Sequence, residues 1–188
     1  MIFENYKLKN ITLRNRIVMA PMTRNQSPGG IPTQEVIAYY SRRAKAEVGL
    51  IITEGIEVSH EASSAYPNVP RLDSIEAKEA WKKVVEGIKN NNGAVIAQLW
   101  HCGGFRKLGM QPNPEVPGHT ASGLVKPGKK VAHEMTLNDI KETIDAYASD
   151  AKICEEIGFD GVEIHGAHGY LICLLYTSPS PRDRTPAR

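Results

Sequence analysis

Short aliphatic runs alternate with amphipathic helical stretches along this chain, and that alternation restricts it to a parallel sheet covered by helices. The runs are residues 16–20 (RIVMA), 48–56 (VGLIITEGI), 94–100 (AVIAQLW) and 161–165 (GVEIH). Their aliphatic content suits strands buried on both faces. Residues 33–46 read as a helix with Thr33 as N-cap. Residues 74–90 read as a second, because Trp81, Val84, Val85 and Ile88 fall at helical spacing and NNNG stops it. Residues 136–157 give a third. Thr136 and Asp139 open it in a capping-box pattern, Gly158 closes it, and Leu137, Ile140, Ile144, Tyr147, Ala151 and Cys154 form its apolar stripe. Residues 8–13 read as a small hairpin. The Gly/Pro-rich stretch from Trp100 to Thr136 reads as a long loop at the carboxyl end of a strand, where parallel α/β folds place their sites.

Charge narrows the function classes. The 23 Lys and Arg oppose 21 Asp and Glu, and removing the last seven residues leaves twenty of each. The body therefore offers no electrostatic footprint for nucleic acid or anionic lipid. Cys102, Cys154 and Cys173 are an odd set without a CxxC, which reads as reduced thiols in a cytoplasmic setting. The N-terminus lacks an apolar leader and the aliphatic runs are too short to span a bilayer. Residues 173–188 (CLLYTSPSPRDRTPAR) carry no helical or strand period and read as a disordered, non-native tail, leaving 1–172 as the folded unit.

Candidate chemistry gathers at the strand ends. In GVEIH, Val162 and Ile164 share one face and Glu163 and His165 the other. His165, His168 and Tyr170 then fall within one turn. Three readings stay open on spacing alone. The imidazoles hold one carbonyl or phenolate oxygen with Tyr170 as proton donor; or Glu163, His165 and His168 bind a metal, with His101 or Cys102 as a further ligand, as in a metal-dependent barrel hydrolase; or the cluster is a polar turn. Gln98 brings an amide able to donate and accept to the end of the third strand. Thr23 ends the first strand, and Gly55 in Thr53-Glu54-Gly55 permits close approach of a flat ligand.

APMT (Ala20 to Thr23), TEG (Thr53 to Gly55), QLWH (Gln98 to His101) and GFDGVEIHGAHGYL (Gly158 to Leu171) occur in this order. Together they resemble the old yellow enzyme family of FMN-dependent ene-reductases, the NADH:flavin oxidoreductases. The resemblance implies a TIM (β/α)₈ barrel, represented here by an N-terminal (βα)₄ half-barrel. It implies that Pro21, Met22 and Thr23 lie against FMN, that Gly55 contacts it through the backbone, and that Gln98 bonds its pyrimidine edge. His165 and His168 would hold the carbonyl oxygen of an enone or enal, and Tyr170 would donate a proton after hydride transfer, with NADH or NADPH as reductant. The phosphate site and a cationic flavin contact of the family lie in its later half. A half-barrel alone is therefore expected to fold poorly or self-associate, to bind FMN weakly and to be inactive.

Overall fold

A hairpin of β1 (Tyr6–Leu8) and β2 (Ile11–Leu13) leads into strand and helix in strict alternation: β3 (Val18–Met19), α1 (Gln34–Lys45), β4 (Leu50–Glu57), α2 (Ile75–Lys89) and β5 (Ala94–Trp100). An arm follows, carrying β6 (His119–Thr120), β7 (Leu124–Lys126), β8 (Lys129–Lys130) and β9 (His133–Glu134). The alternation resumes with α3 (Leu137–Ile157), β10 (Gly161–Ile164) and α4 (Leu171–Tyr176). The computed structural model describes residues 1–176. The main sheet has the order β10-β5-β4-β3 and every pair in it is parallel. Four strands adjacent in sequence order, each followed by a helix, make a (βα)₄ segment of an α/β barrel.

The helices form where the sequence signals predict. Ser74 caps α2 by accepting the Ala77 amide at 3.0 Å, and Trp81, Val84, Val85 and Ile88 are buried in the main core with β4 and β5 residues. Trp81 meets Phe159 at 5.8 Å between ring centroids. The Thr136–Asp139 capping box of α3 is present, and Gly158 ends the helix at φ 103, a conformation that glycine adopts without Cβ strain.

One expectation for α3 is corrected. Leu137 and Ile144 are 87% and 60% exposed, whereas Thr143, Tyr147, Asp150 and Cys154 face inward. The helix is rotated by a polar anchor. Asp150 accepts the Ser59 amide at 2.7 Å and the Ser59 hydroxyl at 2.8 Å, in the loop after β4. A carboxylate with two donors is satisfied inside, so it displaces Ile144 from the buried face. A boundary also moves. The expected tail begins at Cys173, but α4 continues through Tyr176; the remainder of that expectation, 177–188, lies outside the described residues. Cys102 and Cys154 are buried thiols, as their spacing implies.

The outer strands β3 and β10 each carry exposed apolar side chains: Val18 on one, Val162 and Ile164 on the other. Val162 and Ile164 belong to a strand with no neighbour beyond it among the described residues, so their alternation leaves them uncovered.

The arm is organised by polar groups rather than by an apolar period. Arg106 is fully buried and donates to the carbonyls of Ser64, Met110, Gln111, Asn113 and Val116. Beside it, His101 Nδ1 accepts the Gly103 amide at 3.1 Å, so its proton sits on Nε2, which donates to His60 Nδ1 at 3.2 Å. The His119 ring lies 5.2 Å from His60, with its own Nδ1 buried and without a partner among the described residues. Burial first, and the neighbouring His60 and His133 next, push His119 down to about 4. The unfolded chain binds that proton at about 6.5, so stability is complete above that pH and falls as pH drops towards 4. His119 alone accounts for about 2–3 kcal/mol lost between pH 7 and 4.5 in urea titrations, and His119→Leu should reduce the slope by that share, with buried His101 and His60 carrying loss of the same sign.

Candidate active site

The carboxyl ends of β3, β5 and β10 surround a cavity of about 400 Å³. Pro21 and Thr23 reach it from the turn after β3, Gln98 and Trp100 from β5, and Glu163, His165, His168 and Tyr170 from β10 and the turn after it. Parallel register creates this convergence. Gln98 stands opposite Glu163, and the Gln98 Nε2 donates to Glu163 Oε1 at 2.7 Å. The Gln98 backbone is held as well, its amide donating to the Thr53 hydroxyl at 3.2 Å.

The turn after β10 aims the two imidazoles. The His165 amide donates to the Leu99 carbonyl at 2.9 Å. Its Nδ1 accepts the Ala167 amide at 3.4 Å, which leaves the proton on Nε2 as a donor. Burial first, and His168 next, hold the His165 imidazole below its ordinary value, so it is neutral at pH 7. His168 occupies the left-handed region at φ 58, followed by Gly169 at φ 74. A non-glycine residue is uncommon there, and the backbone reversal turns the His168 ring edge-on to His165 at 5.5 Å and 84°.

Tyr170 sits among rings: 4.8 Å from Trp100, 4.8 Å from Phe105 and 5.0 Å from His165. Burial holds its phenol above the ordinary range, so the hydroxyl keeps its proton at neutral pH. The arrangement presents a hydroxyl, an amide, two imidazoles and a protonated phenol around one opening. Such a donor set suits a flat ring with mixed polar edges and, next to it, an oxygen that gains negative charge.

Two expected site residues stand apart. Met22 is largely exposed and does not line the cavity. Gly55 is buried in β4 beside a register shift and does not line it either. The reason for Gly55 is steric: a Cβ would lie 2.5 Å from Trp100 Cε3. Gly55→Ala should therefore cost about 1–3 kcal/mol through overpacking and shift the Trp100 fluorescence; an unchanged urea midpoint and spectrum would show that the ring has room.

The metal reading lacks a ligand set. Glu163 is engaged by Gln98, and no group of three His, Cys, Asp or Glu among the described residues is placed to hold an ion. Two residues escaped the sequence reading. Trp100 shares the parity of Gln98, two residues on, and that parity was the available signal. Tyr66, whose hydroxyl meets that of Tyr170 at 3.3 Å, lies in a loop where no periodicity points to it. No helix among the described residues is long and apolar enough to cross a membrane.

Comparison with known proteins gives a consistent result. The family described as NADH:flavin oxidoreductase / NADH oxidase matches residues 1–185. A putative 12-oxophytodienoate reductase-like protein 1 of Arabidopsis thaliana is 40% identical over 185 residues, 95% of this chain and 55% of its own length. The 12-oxophytodienoate reductase 1 of Oryza sativa subsp. japonica is 34% identical over 185 residues, 96% of this chain and 48% of its own. Among solved structures, morphinone reductase superposes with a TM-score of 0.83 at 28% identity, covering 90% of this chain and 49% of that one. Old Yellow Enzyme from Pichia sp. AKU4542 gives 0.82 at 32% identity, covering 90% and 47%. The chain thus spans about half the length of the relatives it matches.

Proposed function

Because this chain belongs to the NADH:flavin oxidoreductase / NADH oxidase family, we propose that it is the N-terminal part of an FMN-dependent ene-reductase that uses NAD(P)H to reduce the C=C bond of α,β-unsaturated carbonyl compounds. The observation that carries this reading is the convergence of His165, His168 and Tyr170 on the cavity that Thr23 and Gln98 also line.

The roles follow from the chemistry of each group. Pro21 and Thr23 offer a flat surface and a hydroxyl to the cofactor, and Gln98 offers an amide to its polar edge. FMN, held by Pro21, Thr23 and Gln98, would supply the hydride chemistry that links NAD(P)H to the substrate C=C bond. The His165 Nε2–H and the His168 ring bind the substrate oxygen. These bonds strengthen as enolate charge develops, so they lower the barrier more than they tighten ground-state binding. Tyr170 Oη delivers its proton to the α-carbon. Neutral His165 suits the task, since it donates without carrying a charge of its own. A reducing, cytoplasmic setting suits the buried thiols Cys102 and Cys154.

The test is anaerobic mixing of the flavin-loaded full-length parent protein, first with NADH or NADPH and then with cyclohexenone. The flavin absorbance near 450 nm should bleach and then return, with saturated ketone formed. Bleaching by NAD(P)H without re-oxidation by any enone would reject the substrate class.

A further inference from the structure

A phenol that gives up its proton must regain one before the next turnover, and bound substrate occupies the cavity Tyr170 faces. Another exit exists. The Tyr170 Oη lies 3.3 Å from the Tyr66 Oη. The Tyr66 ring stacks on Trp100 at 5.5 Å and 20°, which fixes where that hydroxyl sits. Tyr66 does not line the active-site cavity. It lines a second one of about 570 Å³, together with Ser64, Asn68, Arg71 and Gln111, while Tyr170 does not line that one. Asn68 and Pro67 on its rim are exposed, so this second cavity reaches solvent. Tyr170, which lines the reaction space, and Tyr66, which lines the water-accessible groove, therefore meet through their hydroxyls.

Resting on the ene-reductase reading, we propose that Tyr66 is a proton relay that recharges Tyr170 from the groove behind it. The Tyr170 O–H breaks as a C–H bond forms at the substrate α-carbon, leaving a phenolate. The Tyr66 O–H then gives its proton to that phenolate, and water in the groove returns a proton to Tyr66. One solvent proton is consumed per turnover and no electrons move in the relay. Burial makes the Tyr170 phenolate costly, which drives the second transfer. Neither hydroxyl needs to move far, because each can donate to or accept from the other.

Tyr66→Phe keeps the ring on Trp100 and removes only the relay atom. The first measurement needs no flavin: hydroxyl exchange of Tyr170 with solvent, read from the isotope shift of ¹³Cζ-labelled tyrosine in mixed H₂O and D₂O. Exchange should slow about tenfold or more in the variant; unchanged exchange would overturn the relay. The second uses the flavin-loaded full-length parent. Pre-reduced protein mixed with cyclohexenone should complete its first turnover at the wild-type rate, since Tyr170 starts protonated. Repeated turnover should then fall about tenfold, with an enlarged solvent isotope effect. Equal slowing of first and later turnovers would make Tyr66 a positioning residue and overturn the relay. Failure of the full-length parent to reduce any enone would instead defeat the ene-reductase reading, with the exchange measurement still deciding the connection to solvent.

Discussion

Tyr170→Phe should lower the rate of alkene reduction by about 10²–10⁴-fold and leave flavin reduction by NAD(P)H nearly unchanged. The variant loses one atom. Its ring keeps the edge contact with Trp100 and the neighbouring Phe105, so the wall of the cavity stays intact. On the proposed reading, His165 and His168 remain to bind the substrate oxygen, and hydride transfer still has its acceptor. What disappears is the proton delivered to the α-carbon, which then has to come from water entering the cavity. Stopped-flow traces of the two half-reactions separate these effects. Equal losses in both would remove Tyr170 from the protonation step, because the oxidised flavin reacts with NAD(P)H without needing that proton.

Arg106→Met should destabilise the fold by several kcal/mol, about 1–3 for each buried carbonyl left without a donor. The methionine fills much of the stem's volume but replaces none of the donors. Five carbonyls, one from Ser64 and four from the arm, lose their partner inside the protein. Each such group left unsatisfied costs free energy of its own. The site should suffer with the arm, because Ser64 begins the stretch that carries Tyr66. Urea denaturation at pH 7 measures the loss; a change below about 1 kcal/mol would mean that water takes over the carbonyls and that the arm is held elsewhere.

The strands and helices of the sheet were readable from sequence because period and caps agreed. Residues 94–100 form β5 as expected, α2 falls within the expected 74–90, and α3 starts beside the Thr136 cap predicted for it. The inward face of α3 was not readable. Ile144 fits a helical stripe by spacing, yet Asp150 wins the buried position through donors supplied by Ser59, 91 residues away in sequence. The arm was read as loop because nothing in it repeats. Its order comes from one guanidinium that gathers carbonyls of the arm and of Ser64 and from imidazoles that meet across the fold, and neither leaves a periodicity. In the site, His165, His168 and Tyr170 were visible as a cluster and Gln98 and Thr23 through strand ends. Gly55 was singled out for close approach of a ligand, and the structure adds a packing reason for it, since a Cβ there would meet Trp100. Tyr66 stayed invisible because its significance lies wholly in the hydroxyl it faces.

The contact between Gln98 and Glu163 decides something about any molecule that enters. A primary amide is nearly symmetric in shape, and left alone it can rotate half a turn and exchange its oxygen for its nitrogen. An ionised carboxylate accepts and never donates, so only the nitrogen end of Gln98 is tolerated beside it. The acid thus sets the amide's orientation through a hydrogen bond of its own. Removing its charge would let both faces of that amide be offered in turn, and the cavity would lose its sense of which edge of a ring is upside down.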